Sequence, residues 1–157
     1  VNGIVLAAPF FKVTRKPYYL LPPETWFNFS KHFLTWIYKG RRFVQVNRPE
    51  AKDKILSYRW VPTSAISTLF DLGKEAAASY VVSSITCPCL IIHSTGDEAA
   101  SYDAAREFFN KLRVPDKQFV ELHRSNHHLF FDYDAPQVND TILEWLAKTC
   151  RKGESLP

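Results

Sequence analysis

Three short apolar runs give this chain its basic organisation. Residues 4–8 are a continuous apolar run, and residues 89–93 are apolar up to His93, whereas residues 117–122 mix apolar with polar positions and are closer to alternation. A continuous run is typical of a strand covered on both faces, and alternation is typical of a strand nearer the edge of a sheet. The pattern therefore predicts three strands, with the third nearest the edge.

Apolar residues at helical spacing separate and follow these strands. Residues 63–82 and 102–112 each show such a pattern, and a further helix is predicted to begin near Asp134 and to end near Gly153. Asp134 is a candidate N-cap, and the cationic residues before Gly153 suit a helix C-terminus. Strands that alternate with helices predict a parallel α/β sheet.

Residues 10–60 are too long to be an ordinary connection between a strand and a helix, so we expect an insertion there. Within it, four aromatic residues follow a 3-4-3 spacing: Trp26, Phe29, Phe33 and Trp36. This spacing predicts an amphipathic helix with a narrow apolar stripe. We interpret the insertion as a lid whose stripe binds an apolar part of a substrate, with ordinary core packing as the alternative.

The composition limits the number of domains and the compartment. With 157 residues, 46% of them hydrophobic, the chain can bury one core of ordinary size, so residues 1–157 are one domain or part of one. The longest apolar run is too short to span a bilayer, and no charged leader precedes it. Three cysteines are too few for a disulfide framework, which favours a reducing, cytoplasmic location. The chain has no Met and opens directly on a strand, so we expect it to be part of a longer protein.

The formal net charge is +4, and many of the cations crowd residues 39–54 beside aromatic side chains. A basic, aromatic surface can track nucleic acid or lie on anionic lipid. A solvated face, on which Lys and Arg stems cover apolar groups, is the commoner arrangement. We expect no nucleic-acid partner, and peripheral contact with a membrane or an acyl carrier stays open.

Acid and base candidates follow two of the predicted strands. Asp97 lies in the turn after the second strand, and His127 and His128 lie in the loop after the third. The carboxyl ends of neighbouring parallel strands share one edge of the sheet, so an aspartate and a histidine there can meet. A nucleophilic hydrolase needs such a pair, because the carboxylate fixes the imidazole tautomer while the imidazole takes the nucleophile's proton. Glu98 and Asp103 are weaker alternatives to Asp97.

The segments around these candidates resemble a known family. Residues 85–97 show the proline, apolar strand, small turn and aspartate that carry the acid in α/β-hydrolases of the monoglyceride lipase and carboxylesterase kind. Residues 125–127 are similar to that family's histidine loop, and the later helix that contains Trp145 is similar to its last helix. Residues 1–9 are similar to the strand that precedes its lid. The resemblance implies the C-terminal part of an α/β-hydrolase: parallel strands six to eight, flanking helices and an inserted helical lid.

By this resemblance Asp97 is the triad acid and His127 the base. His128 remains a competitor, because spacing alone does not separate adjacent imidazoles. The chain departs from the family in containing no Gly-x-Ser-x-Gly nucleophile elbow. We expect the elbow serine in an N-terminal half that is absent from this chain and would be its partner, so that this chain alone is inactive. The alternative is a hydrolase-fold binding or interaction module without catalysis.

The implied function of the complete protein is hydrolysis of an ester or thioester with an apolar acyl group, with no metal or organic cofactor. An aminopeptidase or amidase is the alternative on the same scaffold, since a fold does not fix its chemistry. His123 and the adjacent histidine pair lack the further ligands of a metal site. Cys87-Pro88-Cys89 lacks the spacing of a redox motif.

Overall fold

The computed structural model describes residues 2–15, 20 and 22–153, which form alternating strands and helices. The strands are β1 (Ile4–Ala7), β2 (Trp36–Tyr38), β3 (Trp60–Pro62), β4 (Cys89–Ser94) and β5 (Lys117–Leu122). The α-helices are α1 (Pro23–Ser30), α2 (Thr63–Ala76), α3 (Ser79–Ser84), α4 (Tyr102–Lys111) and α5 (Ala135–Gly153). Short 3₁₀ turns cover Arg41–Phe43, Pro49–Ala51 and Leu129–Phe131. No helix in this described part of the chain is both long enough and apolar enough to cross a membrane.

A parallel sheet with the order β1-β4-β5 forms the centre of the fold. Strand β4 pairs with both neighbours, from Ile4↔Cys89 on one side to Ser94↔Leu122 on the other. Every residue of β4 is buried, whereas β5 is mostly half-buried and lies at an edge of the described sheet, so the predicted strands and the predicted edge position are confirmed. The α/β class predicted from the pattern is likewise confirmed.

The two faces of β4 pack against different helices. Leu90 and Ile92 contact the cluster that contains Trp145 of α5, and Cys89 and Ile91 contact the cluster that contains Phe108 of α4. Burying a Leu or Ile side chain of this kind contributes roughly 1.5–3 kcal/mol relative to leaving it exposed. Burial on both faces explains why the sequence of this strand is continuously apolar.

The predicted helix through Trp26, Phe29, Phe33 and Trp36 is wrong beyond its first half. Helix α1 ends at Ser30, and Trp36 lies in β2, which pairs antiparallel with β3. The backbone N–H of Thr63 donates to the carbonyl of Thr35, and the N–H of Lys39 donates to that of Arg59. β-Branched and aromatic residues favour a strand once a partner is present, so this pairing overrides the helical spacing. Of the predicted insertion, residues 16–19 and 21 lie outside the described residues.

The helix predicted over residues 63–82 is divided in two. Helix α2 ends at Ala76, and Ala78 adopts an extended conformation before α3 begins at Ser79. The break turns Val82 onto the cluster around Phe108. Earlier in α2, a Cβ on Gly73 would lie 3.0 Å from the carbonyl oxygens of Phe10 and Phe11, so glycine permits close packing against the chain that leaves β1.

Candidate active site

Asp97 is held rigidly in the turn that follows β4. Its Oδ1 accepts hydrogen bonds of 2.8 Å from the backbone N–H groups of Ala99 and of Ala100. The residue is only 4% exposed. Because two backbone donors fix one carboxylate oxygen, the other oxygen, Oδ2, has a defined direction toward the neighbouring loop.

His127 occupies the position toward which Oδ2 of Asp97 points. The distance from Nδ1 of His127 to Oδ2 of Asp97 is 2.9 Å. A carboxylate only accepts hydrogen bonds, so the proton is on Nδ1, and the neutral ring keeps its lone pair on Nε2. The His127 side chain is 29% exposed, whereas that of Asp97 is fully buried. The arrangement can take a proton at Nε2 while the carboxylate stabilises the resulting imidazolium.

His128 is placed differently from His127. Its ring is inclined at 67° to that of His127, with centroids 5.6 Å apart, and its backbone N–H donates to the carbonyl of Gln45. Burial, with additional contributions from nearby His127 and Lys39, lowers the pKa of His128. The structure thus brings His127, rather than its neighbour, to the carboxylate of Asp97.

The two weaker acid candidates take other positions. The backbone N–H of Glu98 donates to the side chain of Asn126. Asp103 lies in the first turn of α4, but it is not the N-cap: Ser101 is, and its hydroxyl accepts from the N–H of Ala104.

A second imidazole lies beneath the Asp97–His127 pair. His93, at the end of β4, is fully buried, its Nδ1 donates to the carbonyl of Ser94, and its Nε2 lies 4.0 Å from Oδ2 of Asp97. Among the residues that the structure describes, no donor or acceptor lies within hydrogen-bonding geometry of Nε2. Burial is the main cause that lowers the pKa of His93, so the ring is neutral near pH 7.

The predicted substrate-binding residues do not line the cavity beside His127. That cavity, of about 150 Å³, is lined by Ala7, Ala8, His127, His128 and residues 129–131. The exposed fractions of Trp26, Phe29, Phe33 and Trp36 are 50%, 68%, 77% and 56%. Phe29 and Phe33 contact each other, with ring centroids 5.8 Å apart. The structure therefore presents these four side chains at the surface of the insertion.

Sequence reasoning missed the other residues that line this cavity. Phe130 and Phe131 come soon after the histidine pair, separated from it by Leu129, and this nearness in the sequence is the signal that could have found them. Ala8 has a φ of 47°, a conformation that L-residues rarely adopt, and the chain turns away from β1 there. Local strain of this kind is concentrated at functional sites.

The two cysteines of Cys87-Pro88-Cys89 take different positions: Cys89 lies in the core of the sheet, whereas Cys87 precedes β4 and is partly buried. Cys89 is fully buried, and burial raises the pKa of its thiol to about 11, with a smaller contribution from Cys87. A thiol with that pKa is not a thiolate at neutral pH, so it is not a reactive nucleophile. In the part of the chain that is described, no group of three or more His, Cys, Asp or Glu side chains is arranged to hold a metal ion.

Comparison with known proteins gives a consistent set of similarities. The family model described as "Serine aminopeptidase, S33" matches residues 1–134. A thermostable monoacylglycerol lipase from Bacillus sp. (strain H-257) is 30% identical over 103 residues, which are 66% of this chain and 40% of that protein. The match therefore covers less than half the length of that curated relative.

Solved structures show the same fold. A monoacylglycerol lipase from Paleococcus ferrophilus superposes with a TM-score of 0.74 at 19% identity, and the match covers 95% of this chain and 60% of that one. A soluble variant of monoglyceride lipase from Saccharomyces cerevisiae gives a TM-score of 0.75 at 15% identity, covering 94% of this chain and 56% of that one. These similarities show an α/β-hydrolase fold that corresponds to part of each neighbour.

Proposed function

Because this chain belongs to the serine aminopeptidase S33 family of α/β-hydrolases, we propose that it supplies the acid and the base of a Ser-His-Asp triad. Asp97 is the acid and His127 the base. The observation that supports these roles is the 2.9 Å hydrogen bond between them, formed by loops that follow neighbouring parallel strands. The complete protein hydrolyses carboxylic esters or thioesters with an apolar acyl group.

The nucleophile is a serine supplied by a polypeptide segment outside this chain. The chain has no Gly-x-Ser-x-Gly, and it spans 60% or less of the two solved lipases described above. Within the described sheet, β1 pairs with β4 on one side only, and its apolar residues are just partly buried. An apolar strand at an open edge favours pairing with further strands, and a strand of the segment that carries the serine would suit it.

The reaction proceeds in two acyl transfers. The serine hydroxyl attacks the acyl carbon while Nε2 of His127 takes its proton, and Asp97 stabilises the imidazolium. The imidazolium then gives this proton to the leaving alkoxide or thiolate, which leaves an acyl-serine. Water attacks the acyl-serine, again with His127 as the base, and the serine and a carboxylic acid are released.

A monoacylglycerol is the substrate class that we assign. The curated relative and the two solved neighbours described above are named as monoacylglycerol or monoglyceride lipases. In the insertion, Trp26, Phe29, Phe33 and Trp36 offer exposed apolar surface for the acyl group, and basic residues such as Lys39 and Arg41 lie in the same segment. Aromatic and cationic side chains together suit an anionic lipid surface from which such a substrate is drawn.

The experiment compares ester with amide substrates in the full-length protein that carries this chain. A monoacylglycerol and a matched amino-acyl amide are offered at equal concentrations, and the release of fatty acid or of amine is measured. We expect release from the ester to be faster. Faster cleavage of the amide would assign the aminopeptidase reaction instead, and hydrolysis of neither would favour a binding module.

A further inference from the structure

We propose that Asn126 and Asp132 are positioning residues that hold His127 against Asp97 and join the histidine loop to the inserted segment. The inference deepens the proposed function, on which it rests. It comes from hydrogen bonds that the side chains of Asn126 and Asp132 make to backbone groups of segments far apart in the sequence.

Asn126 connects the acid loop and the base loop through a single atom. Its Oδ1 accepts from the backbone N–H of His127 at 2.9 Å and from the backbone N–H of Glu98 at 3.0 Å. Glu98 directly follows Asp97, so one amide oxygen holds the base and the residue next to the acid. Asn126 is 5% exposed, so water does not readily replace this acceptor.

Asp132 holds Asn126 and the inserted segment together. Its Oδ2 accepts from the N–H groups of Asn47 at 2.7 Å and Asn126 at 2.8 Å. Its Oδ1 accepts from those of Arg48 and Tyr133, both at 2.9 Å. Asp132 is 1% exposed, and a carboxylate has about four lone-pair sites, so these four donors satisfy it completely.

Further bonds strengthen the junction between the insertion and the histidine loop. The side-chain amide of Asn47 donates to the carbonyl of Arg124 at 3.0 Å, and that of Asn126 donates to Oδ1 of Asn47 at 3.3 Å. The N–H of His128 donates to the carbonyl of Gln45 at 3.1 Å. Residues 45–48 of the insertion are therefore bonded to the loop on both sides of His127.

Asp134 provides a matched control in the same loop. It is also a buried carboxylate, 6% exposed, and its Oδ2 accepts from the N–H of Arg124 and from the N–H and hydroxyl of Ser125. These bonds reach neither His127 nor the insertion. A purely structural role for buried carboxylates in this loop would make Asp132 and Asp134 equivalent, whereas a positioning role distinguishes them.

The test replaces Asn126 in the full-length protein and reads two independent signals. Proton NMR detects the Nδ1–H of His127 in its bond to Asp97, which needs no turnover, and steady-state hydrolysis of a monoacylglycerol gives kcat and KM. For Asn126→Leu we expect the Nδ1–H signal to be lost and kcat to fall at least roughly tenfold with KM nearly unchanged, because small displacements of a catalytic group are costly. For Asp132→Asn we likewise expect loss of the Nδ1–H signal and a lower kcat.

The controls separate positioning from folding. Asp134→Asn should keep the Nδ1–H signal and kcat while lowering the melting temperature. Asn126→Asp retains the acceptor oxygen and should therefore retain the Nδ1–H signal. If Asn126→Leu does not fold, Asn126→Ser replaces it, because the serine side chain is too short to reach both N–H groups. Retention of both signals in Asn126→Leu or Asn126→Ser would overturn the proposal. A wild-type protein that shows the signal but hydrolyses nothing would contradict the proposed function alone.

Discussion

Asp97 and His127 are 30 positions apart in the sequence, yet Oδ2 of one lies 2.9 Å from Nδ1 of the other. The sheet register explains this contact. Ser94 at the end of β4 pairs with Leu122 at the end of β5, so the loops that follow both strands leave the sheet at the same edge. The candidate acid and base meet because two parallel strands end in register.

Loss of the Asp97 charge should impair catalysis much more than folding. In Asp97→Asn the amide no longer fixes the proton on Nδ1 of His127 or stabilises the imidazolium, so we expect kcat of the full-length protein to fall by roughly 10⁴-fold. Asp103→Asn, in the first turn of α4, is the control and should keep kcat within about twofold. Comparable losses in the two variants would remove Asp97 from the proposed role.

Stability should fall as the pH is lowered through the range in which histidine titrates. The pKa values of His93 and His128 are lowered in the folded protein from 6.5, mainly by burial. Below pH 6.5 the unfolded chain therefore binds protons that the folded chain does not, and the stability present above pH 6.5 is progressively lost. Urea unfolding at about pH 7.5 and about pH 5.5 measures this loss.

Substitution of His93 tests the same prediction. The His93→Asn variant should lose less free energy of unfolding between the two pH values than the wild type, because one depressed pKa is removed. An identical pH dependence in His93→Asn and the wild type would argue against a neutral, buried His93.

Gly3 should not tolerate a side chain. A Cβ at this position would lie 2.6 Å from Cη2 of Trp145, which is 5% exposed in the core between the sheet and α5. We expect Gly3→Ala to lower the free energy of unfolding by about 1–3 kcal/mol, as overpacking does. At Gly96 the nearest atom to a Cβ is 3.5 Å away. Gly96→Ala should therefore lower the free energy of unfolding by less than Gly3→Ala does, and its melting temperature should fall by less. Equal effects at the two glycines would contradict this packing.

The exposed aromatic residues of the insertion should affect substrate choice rather than stability. Phe29 and Phe33 are 68% and 77% exposed, so the double variant Phe29→Ala, Phe33→Ala should change the free energy of unfolding by only about 0.5 kcal/mol per site. If they contact the acyl group, the preference for long over short acyl esters should decrease. Leu56→Ala, at a fully exposed position outside the aromatic set, should leave the preference unchanged. An unchanged preference in the double variant would exclude Phe29 and Phe33 from the acyl site.

The elements that were predicted from sequence patterns are those whose own residues carry the pattern. The central strand β4 is apolar throughout because both its faces are covered, and α4 carries Phe108 at helical spacing toward the core. The approach of Asp97 to His127 was expected from topology, since parallel strands end at one edge.

The features that sequence analysis missed depend on distant partners. The predicted helix does not continue to Trp36 because residues 36–38 pair with β3, more than 20 positions later. The bond from Asn47 to Asp132 spans 85 positions, and no periodicity signals it. Asn126 lies beside the predicted base, yet its role depends on a contact with Glu98 in another loop.

The most direct measurement is fluorophosphonate labelling of the full-length protein, followed by intact-protein mass spectrometry, because the probe reacts with activated serines. The account predicts one labelled serine outside these 157 residues, labelling at least roughly 100-fold slower in His127→Ala, and near wild-type labelling in His128→Ala. Failure of the wild-type protein to label, or loss of labelling in His128→Ala with retention in His127→Ala, would contradict the assignment of His127 as the base.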